Sequence, residues 1–396
     1  MRGIALVVVL TVASLAVRAD AVSAGELRLE HLQVVGTHNS YHQEASPAEQ
    51  RVLDRAGVPG REALEYAFPP LARQLARHDV RQLELDVFAD PEGGRYATPA
   101  LRRLAGGGPH DLLMHAPGIK VLHIQDYDYR SSCFTLVACL TEIESWSASH
   151  PGHVPLTVLL ELKDQPLPRG IRGTDPLPWT AVELDSLDAE IRSVFSPRQL
   201  IVPDDVRAGR LTLSSAVLAH RWPTLATSRG KVMLLMNDSG RRHRDAYLTG
   251  HPGLTGRVLF TTGRPGRPET AFVQVDDPRG RALKRIRRLA RRGYLVRTRA
   301  DADTREARTG DTRRRDAALR SGAHWVSTDY PARGMAARFG SSYAVSLGRP
   351  ARCNPVTAPS RCRSARLERQ RRPGSLSEAG GAGTRRVPAP ARPPGR

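Results

Sequence analysis

Aromatic side chains are scarce in this chain of 396 residues: Phe, Trp and Tyr together make up 5%. No basic-aromatic ribonucleoprotein pattern is present, nor zinc-finger spacing, nor a basic region followed by heptads. Cysteine is limited to four, Cys133, Cys139, Cys353 and Cys362, and no pair has the short spacing of a zinc site. Beyond the N-terminal segment no apolar run approaches the span of about 20 residues that crosses a bilayer. No internal repeat is found, which excludes a solenoid. Acidic residues are outnumbered, 40 against 60 basic, and the net charge of +20 comes almost wholly from Arg. That sign suits nucleic acid, an anionic membrane surface or an anionic substrate. The missing motifs argue against nucleic acid. A plain compositional bias toward Arg stays open beside the other two.

What is present begins with a secretory pattern. Arg2 supplies a charged start, residues 4–17 are apolar or small, and Val22-Ser23-Ala24 offers a cleavage site before Gly25, with Val17-Arg18-Ala19 as a second option. The expectation is a signal peptide over 1–24 and a secreted, extracellular protein. An even number of cysteines agrees, since exported chains form disulfides. Of three possible connectivities, the local one, Cys133 with Cys139 and Cys353 with Cys362, is the simplest. Hydrophobic content of 40% and ample length predict one large domain over 25–348. Residues 349–396 form an extension that from about Arg363 is rich in Arg, Pro, Gly and Ala without periodicity, and is expected to be mostly disordered. Nothing in the sequence implies an obligate partner, so a monomer is expected.

Apolar, β-branched runs alternate with amphipathic Arg- and Ala-rich stretches, which predicts a parallel sheet with crossover helices. Candidate strands cover 32–37, 82–88, 120–125, 156–162, 231–236, 257–261, 271–275, 294–298 and 324–327. A closed (β/α)8 barrel takes eight, and the run at 257–261 is the one set aside as accessory. Helices are expected at 70–78, 134–149, 179–194, 280–292 and 311–321. In the fourth of these six Arg and a Lys face solvent opposite a stripe of Leu283, Ile286, Leu289 and Ala290. Long loops at 89–118 and 165–178 follow the second and fourth candidate strands and would overhang one face.

Four of the early runs end in polar clusters. His38-Asn39 follows the first; the Asn side-chain oxygen is a hard ligand. Glu84 and Asp86 stand at i and i+2 and so share one face of the second. Paired carboxylates on an inward face call for a cation. His123 sits in the third, near Asp126 and Asp128, with His115 in the preceding loop as its competitor. Glu161 closes the fourth, with Lys163 two positions on. In a parallel barrel all such ends meet at one mouth. Two imidazoles, hard oxygen ligands and a lysine there make a reagent set for phosphoryl transfer.

With the segments GTHNSYH, LELDVFADPEGGRY, PGIKVLHIQDYDYRSSCFTLVACL, LLELKD and RRDAALRSGAHWVSTDYP, in that order, the chain resembles the calcium-dependent phosphatidylinositol-specific phospholipases C of secreted bacterial and fungal type. The likeness runs from about Leu32 to about Pro331. It implies a TIM barrel and Ca2+-dependent cleavage of phosphatidylinositol. It assigns His38 and His123 as the catalytic pair, Asn39, Glu84, Asp86 and Glu161 to calcium, and Lys163 to the substrate phosphate. Arg299 and Asp301 are expected to contact inositol or phosphate, and Asp329 to be structural. The expected reaction is attack of the inositol 2-hydroxyl, giving diacylglycerol and inositol (cyclic) phosphate at an anionic membrane surface. The rivals are a glycerophosphodiester phosphodiesterase, whose first strand ends in His-Arg where this chain has His38-Asn39, and a catalytically silent lipid-binding barrel.

Overall fold

The structure is a computed structural model that describes residues 26–368 except 59, 208, 210, 211 and 238–240. The expected signal segment and the extension past 368 lie outside the described residues. Eight parallel strands close into a barrel: β1 (Leu32–Thr37), β2 (Gln82–Phe88), β3 (Leu156–Leu162), β4 (Val232–Asn237), β5 (Phe260–Thr262), β6 (Thr270–Gln274), β7 (Leu295–Arg299) and β8 (Trp325–Thr328). β8 pairs with β1 from Val34↔Trp325 to Thr37↔Thr328, and a single pairing, Gly36↔Gln82, closes β1 on β2. The closure needs glycine, because a Cβ at position 36 would lie 1.9 Å from Gln82 Oε1.

Two strand expectations are corrected. The run at 257–261 supplies β5, which pairs with β4 and β6 and belongs to the barrel. The run at 120–125 does not belong to it: only Lys120–Val121 is extended, lying antiparallel on the end of β2. Beyond it the chain turns back through Asp126 at φ 69, and Ile124 bridges Asp128. A hairpin at the barrel mouth therefore carries His123.

Apolar residues on β2, β3 and β4 face the helix layer, whose members include Leu136–Ser149, Ala181–Val194, Arg281–Arg291 and Arg313–Arg320. These lie close to where the apolar spacing places helices. The helix Pro47–Ala56 was not anticipated, although Ser46 and Glu49 form a reciprocal capping box around Pro47, a signal legible in sequence. Both disulfides take the local pairing, Cys133–Cys139 and Cys353–Cys362. The described part of the C-terminal extension packs on the barrel at the start of β1. Arg352–Cys353 pairs antiparallel with Leu32 and Gln33, Leu367 is buried, and Glu368 is bound by Arg81. Order thus continues several residues past the expected boundary at Arg363.

Candidate functional site

The C-terminal ends of β1, β2, β3 and β7 gather the polar residues at one mouth. Glu84 and Asp86 project inward from β2, with Leu83, Leu85 and Val87 turned to the helix layer. β3 pairs with β2 so that Glu161 stands beside Asp86. Glu84, Asp86 and Glu161 each offer a carboxylate oxygen, and these oxygens lie within 4.8 Å of one another. The turn carrying Asn39 is tied to the same place: Ser40 N donates to the Glu84 carbonyl at 2.8 Å, and Glu84 N donates to Ser40 Oγ at 2.8 Å. Asn39 takes a left-handed φ of 47, which asparagine tolerates, and its Nδ2 donates to Tyr66 Oη at 3.2 Å.

The electrostatics of this cage are unbalanced. Burial, reinforced by Glu161 and Asp86, pushes the Glu84 carboxyl up to about 8 although Arg297 Nη2 donates to it at 2.6 Å. Burial pushes Asp86 up to about 6 against the pull of Lys163 at 3.1 Å. For Glu161 burial opposes ionisation, but Lys163 at 2.8 Å outweighs it and holds this carboxyl below its ordinary value. Asp86 Oδ1 and Asn39 Oδ1 are buried acceptors without a hydrogen-bond donor. Orphaned oxygens of that kind are costly, and a hard divalent cation of the calcium type satisfies them together with the neighbouring carboxylates. The four residues expected at calcium thus fit it in donor chemistry.

Each expected catalytic imidazole is paired with an aspartate. His38 Nδ1 lies 3.0 Å from Asp329 Oδ1, and His123 Nδ1 lies 2.7 Å from Asp128 Oδ2. With Nδ1 engaged, Nε2 of each ring is left to act on a ligand. Their side chains are 18% and 20% exposed, enough to reach the mouth. Burial, with Arg299 and Arg297 nearby, holds His38 well below its ordinary value. His115 ends the short helix Leu112–His115, exposed on the 89–118 loop, and belongs to no such pair. Asp128 is itself anchored by buried His42, whose Nε2 is 3.0 Å from both carboxylate oxygens and whose Nδ1 donates to the Tyr66 carbonyl at 2.8 Å.

A cleft of about 540 Å³ opens beside this cluster, lined by His123, Glu161, Lys163, Asn237, His243 and Asp276 among others. Lys163 bridges Asp86 and Glu161, and Arg299 Nη2 reaches Asp329 Oδ2 at 3.5 Å. Asp301 is placed differently from the expectation of a ligand contact. It is fully buried, accepts from the Asp329 backbone N at 2.9 Å, from Tyr343 Oη at 3.2 Å and from Thr328 Oγ1, and so supports Asp329 from behind. Asp329, expected as a structural residue, is the partner of His38. Sequence reasoning missed Arg297, His42 and Asn237, whose Nδ2 donates to Glu161 Oε2 at 2.8 Å. Arg297 had a signal, since it stands at i−2 from Arg299 on one strand face.

A family model described as "Phosphoinositide phospholipase C, Ca2+-dependent" matches residues 27–355. Among curated proteins none matches the chain. Among solved structures, two forms of a calcium-dependent phosphoinositol-specific phospholipase C from a Gram-negative bacterium, Pseudomonas sp, are similar. Crystal form 2 of the apo form is 17% identical over 83% of this chain and 95% of that one, with a TM-score of 0.51. The myoinositol complex is 17% identical over 83% of this chain and 96% of that one, with a TM-score of 0.52. At that identity the likeness speaks to the fold.

Proposed function

The chain belongs to the Ca2+-dependent phosphoinositide phospholipase C family, and from that premise we propose that it cleaves phosphatidylinositol at a membrane surface, releasing diacylglycerol and an inositol phosphate. One observation carries this reading: the Glu84, Asp86 and Glu161 carboxylates converge, Asp86 Oδ1 and Asn39 Oδ1 are buried without donors, and two His–Asp pairs accompany them. Asn39, Glu84, Asp86 and Glu161 would hold the calcium. When bound, that ion supplies positive charge that acidifies a hydroxyl and offsets charge on the phosphate.

The chain's own residues do the rest. Glu161, the carboxylate that opens to the cleft, accepts the proton of the inositol 2-hydroxyl as it attacks phosphorus. His123 Nε2 donates a proton to the departing diacylglycerol oxygen, with Asp128 holding the ring. His38, oriented by Asp329, hydrogen-bonds a phosphoryl oxygen, and Lys163 and Arg299 supply charge to the phosphate. The first product is inositol 1,2-cyclic phosphate.

The loops above the mouth fit a bilayer. Leu104, Leu112 and Leu113 on one and Ile171 on the other are exposed, with Arg102, Arg103, Arg169 and Arg172 beside them. Arg95 Nη1 joins the two loops by donating to the Asp175 carbonyl at 3.1 Å. Leucines over an arginine field suit an interface with anionic lipid. Two disulfides support action in an oxidising, extracellular compartment. No helix among the described residues is long and apolar enough to cross a membrane. We read the protein as an exported monomer that visits the bilayer.

The test is incubation with phosphatidylinositol vesicles, with and without a calcium chelator, and identification of the water-soluble product. Cyclic inositol phosphate formed only without chelator supports the reading; glycerol phosphate, or turnover indifferent to the chelator, removes it.

A further inference from the structure

The helix Arg281–Arg291 contains no acidic residue. At 3.6 residues per turn, Arg281, Lys284, Arg285, Arg288 and Arg291 fall within a stripe of roughly 120° on its outer side. Ile286, Leu289 and Ala290 occupy the buried side. Like charges three and four apart repel and weaken a helix, and no counter-charge relieves them: none of these five cations has an ion-pair partner among the described residues. Some arginines elsewhere on the surface are treated otherwise. Arg279 pairs with Asp277 and Arg313 with Asp311, both close by in sequence, and Arg308 pairs with Glu65. Arg287 Nη2, outside the stripe, donates to the Arg320 carbonyl at 3.2 Å, which ties the end of the helix Arg313–Arg320 to this helix.

The stripe runs about 15 Å along the helix, with a cation at every turn. It does not face the bilayer that the mouth would meet. The helix follows β6 and leads into β7, so it descends the barrel wall, and the stripe faces sideways. No aromatic side chain interrupts it, so it has nothing on which bases could stack. Guanidinium forks at helical spacing suit carboxylate or sulfate groups repeated along a chain.

We propose that this face binds a linear acidic polysaccharide, independently of the catalytic mouth. The contact is electrostatic, non-covalent and shared among several cations, so its affinity falls steeply with salt.

The experiment uses the full chain and dextran sulfate as probe, with binding measured across a range of NaCl concentrations. Arg285→Gln/Arg288→Gln keeps helix-forming residues in place; Arg198→Gln/Arg221→Gln removes the same charge from exposed sites elsewhere. Circular dichroism verifies that both fold. The proposal expects the first double variant to lower the log–log salt slope by about two, the second to leave it near the parent value, and neither to change binding to phosphatidylserine vesicles. Equal losses from both variants would show a bulk-charge effect and overturn it. So would a parallel loss of vesicle binding in the first variant, or tighter binding of single-stranded DNA than of dextran sulfate through the same residues.

Discussion

His123 Nδ1 lies 2.7 Å from Asp128 Oδ2, and the same carboxylate is held from the other side by His42 Nε2 at 3.0 Å. Burial disfavours a charged Asp128, yet the two imidazoles outweigh it and hold its carboxyl below the ordinary range. An ionised Asp128 fixes the His123 ring and leaves Nε2 toward the cleft. His123→Ala should therefore lose about 10²–10⁴-fold in kcat, the worth of a general acid. Asp128→Asn should lower kcat by less, with KM little changed. His115→Ala, on its exposed loop, should leave both constants alone. Steady-state kinetics on phosphatidylinositol separates the three; a loss at His115 matching that at His123 would reverse the assignment.

Arg297 spans the barrel lumen. Its Nη2 donates to Glu84 at 2.6 Å, its Nη1 to Asp276 at 2.6 Å and its Nε to Ser327 Oγ at 3.0 Å. Removing one partner of a buried pair strands the other, at a cost of about 3–5 kcal/mol. Arg297→Met should show that loss in denaturant unfolding with chelator present at a pH above about 8, where Glu84 is ionised, and Arg297→Met/Glu84→Gln should recover part of it. A stable single variant would mean that Glu84 is already uncharged there.

The pH dependence has a definite sign. Glu84 is raised to about 8 and Asp301 to about 7, each chiefly by burial. In the native state these groups keep protons that the unfolded chain has lost, so their contribution to stability declines as pH rises toward and through those values. The histidines held near 4 by burial, His31, His110, His153 and His324, act oppositely but only below about 6.5, where the unfolded chain takes up protons. Above that they are neutral in both states. With chelator, Tm should fall between pH 6.5 and 8.5, and Glu84→Gln should flatten the fall. A melting temperature that climbs across this window would contradict the burial of a proton in the cage.

Leu112 is 84% exposed and Leu113 is half that, on a loop beside arginines. Leu112→Ser/Leu113→Ser should cut activity on phosphatidylinositol vesicles severalfold while sparing a water-soluble monomeric inositol phosphodiester, and binding of the parent to anionic vesicles should weaken from low to high salt. Equal losses on vesicles and soluble substrate would place these leucines in the folding of the loop.

Much of this was legible in the sequence because strands and their polar ends are local. The i, i+2 placement of Glu84 and Asp86 is enough to aim both inward, and the terminal Glu161 needs only the parallel register to meet them. Closure of the barrel was harder. β5 is three residues long, and the run at 120–125 looks strand-like until Asp126 turns it into a hairpin. The supports of the histidines were least legible. His42 and Asp128 are 86 positions apart, and His38 and Asp329 are 291 apart, so only the assembled mouth shows them as pairs. Asp301 reads as a ligand contact from its strand-end position, but the Tyr343 hydroxyl and the Asp329 backbone claim its carboxylate.

Calorimetric titration of calcium into the full chain, compared with Asp86→Asn and Glu161→Gln, asks the most direct question. The convergence of Glu84, Asp86 and Glu161, with the Asn39 turn tied to Glu84, predicts one ion per chain in the parent, with affinity lost or lowered by at least tenfold in each variant while the fold persists. Binding of the same strength and stoichiometry in all three proteins would contradict it.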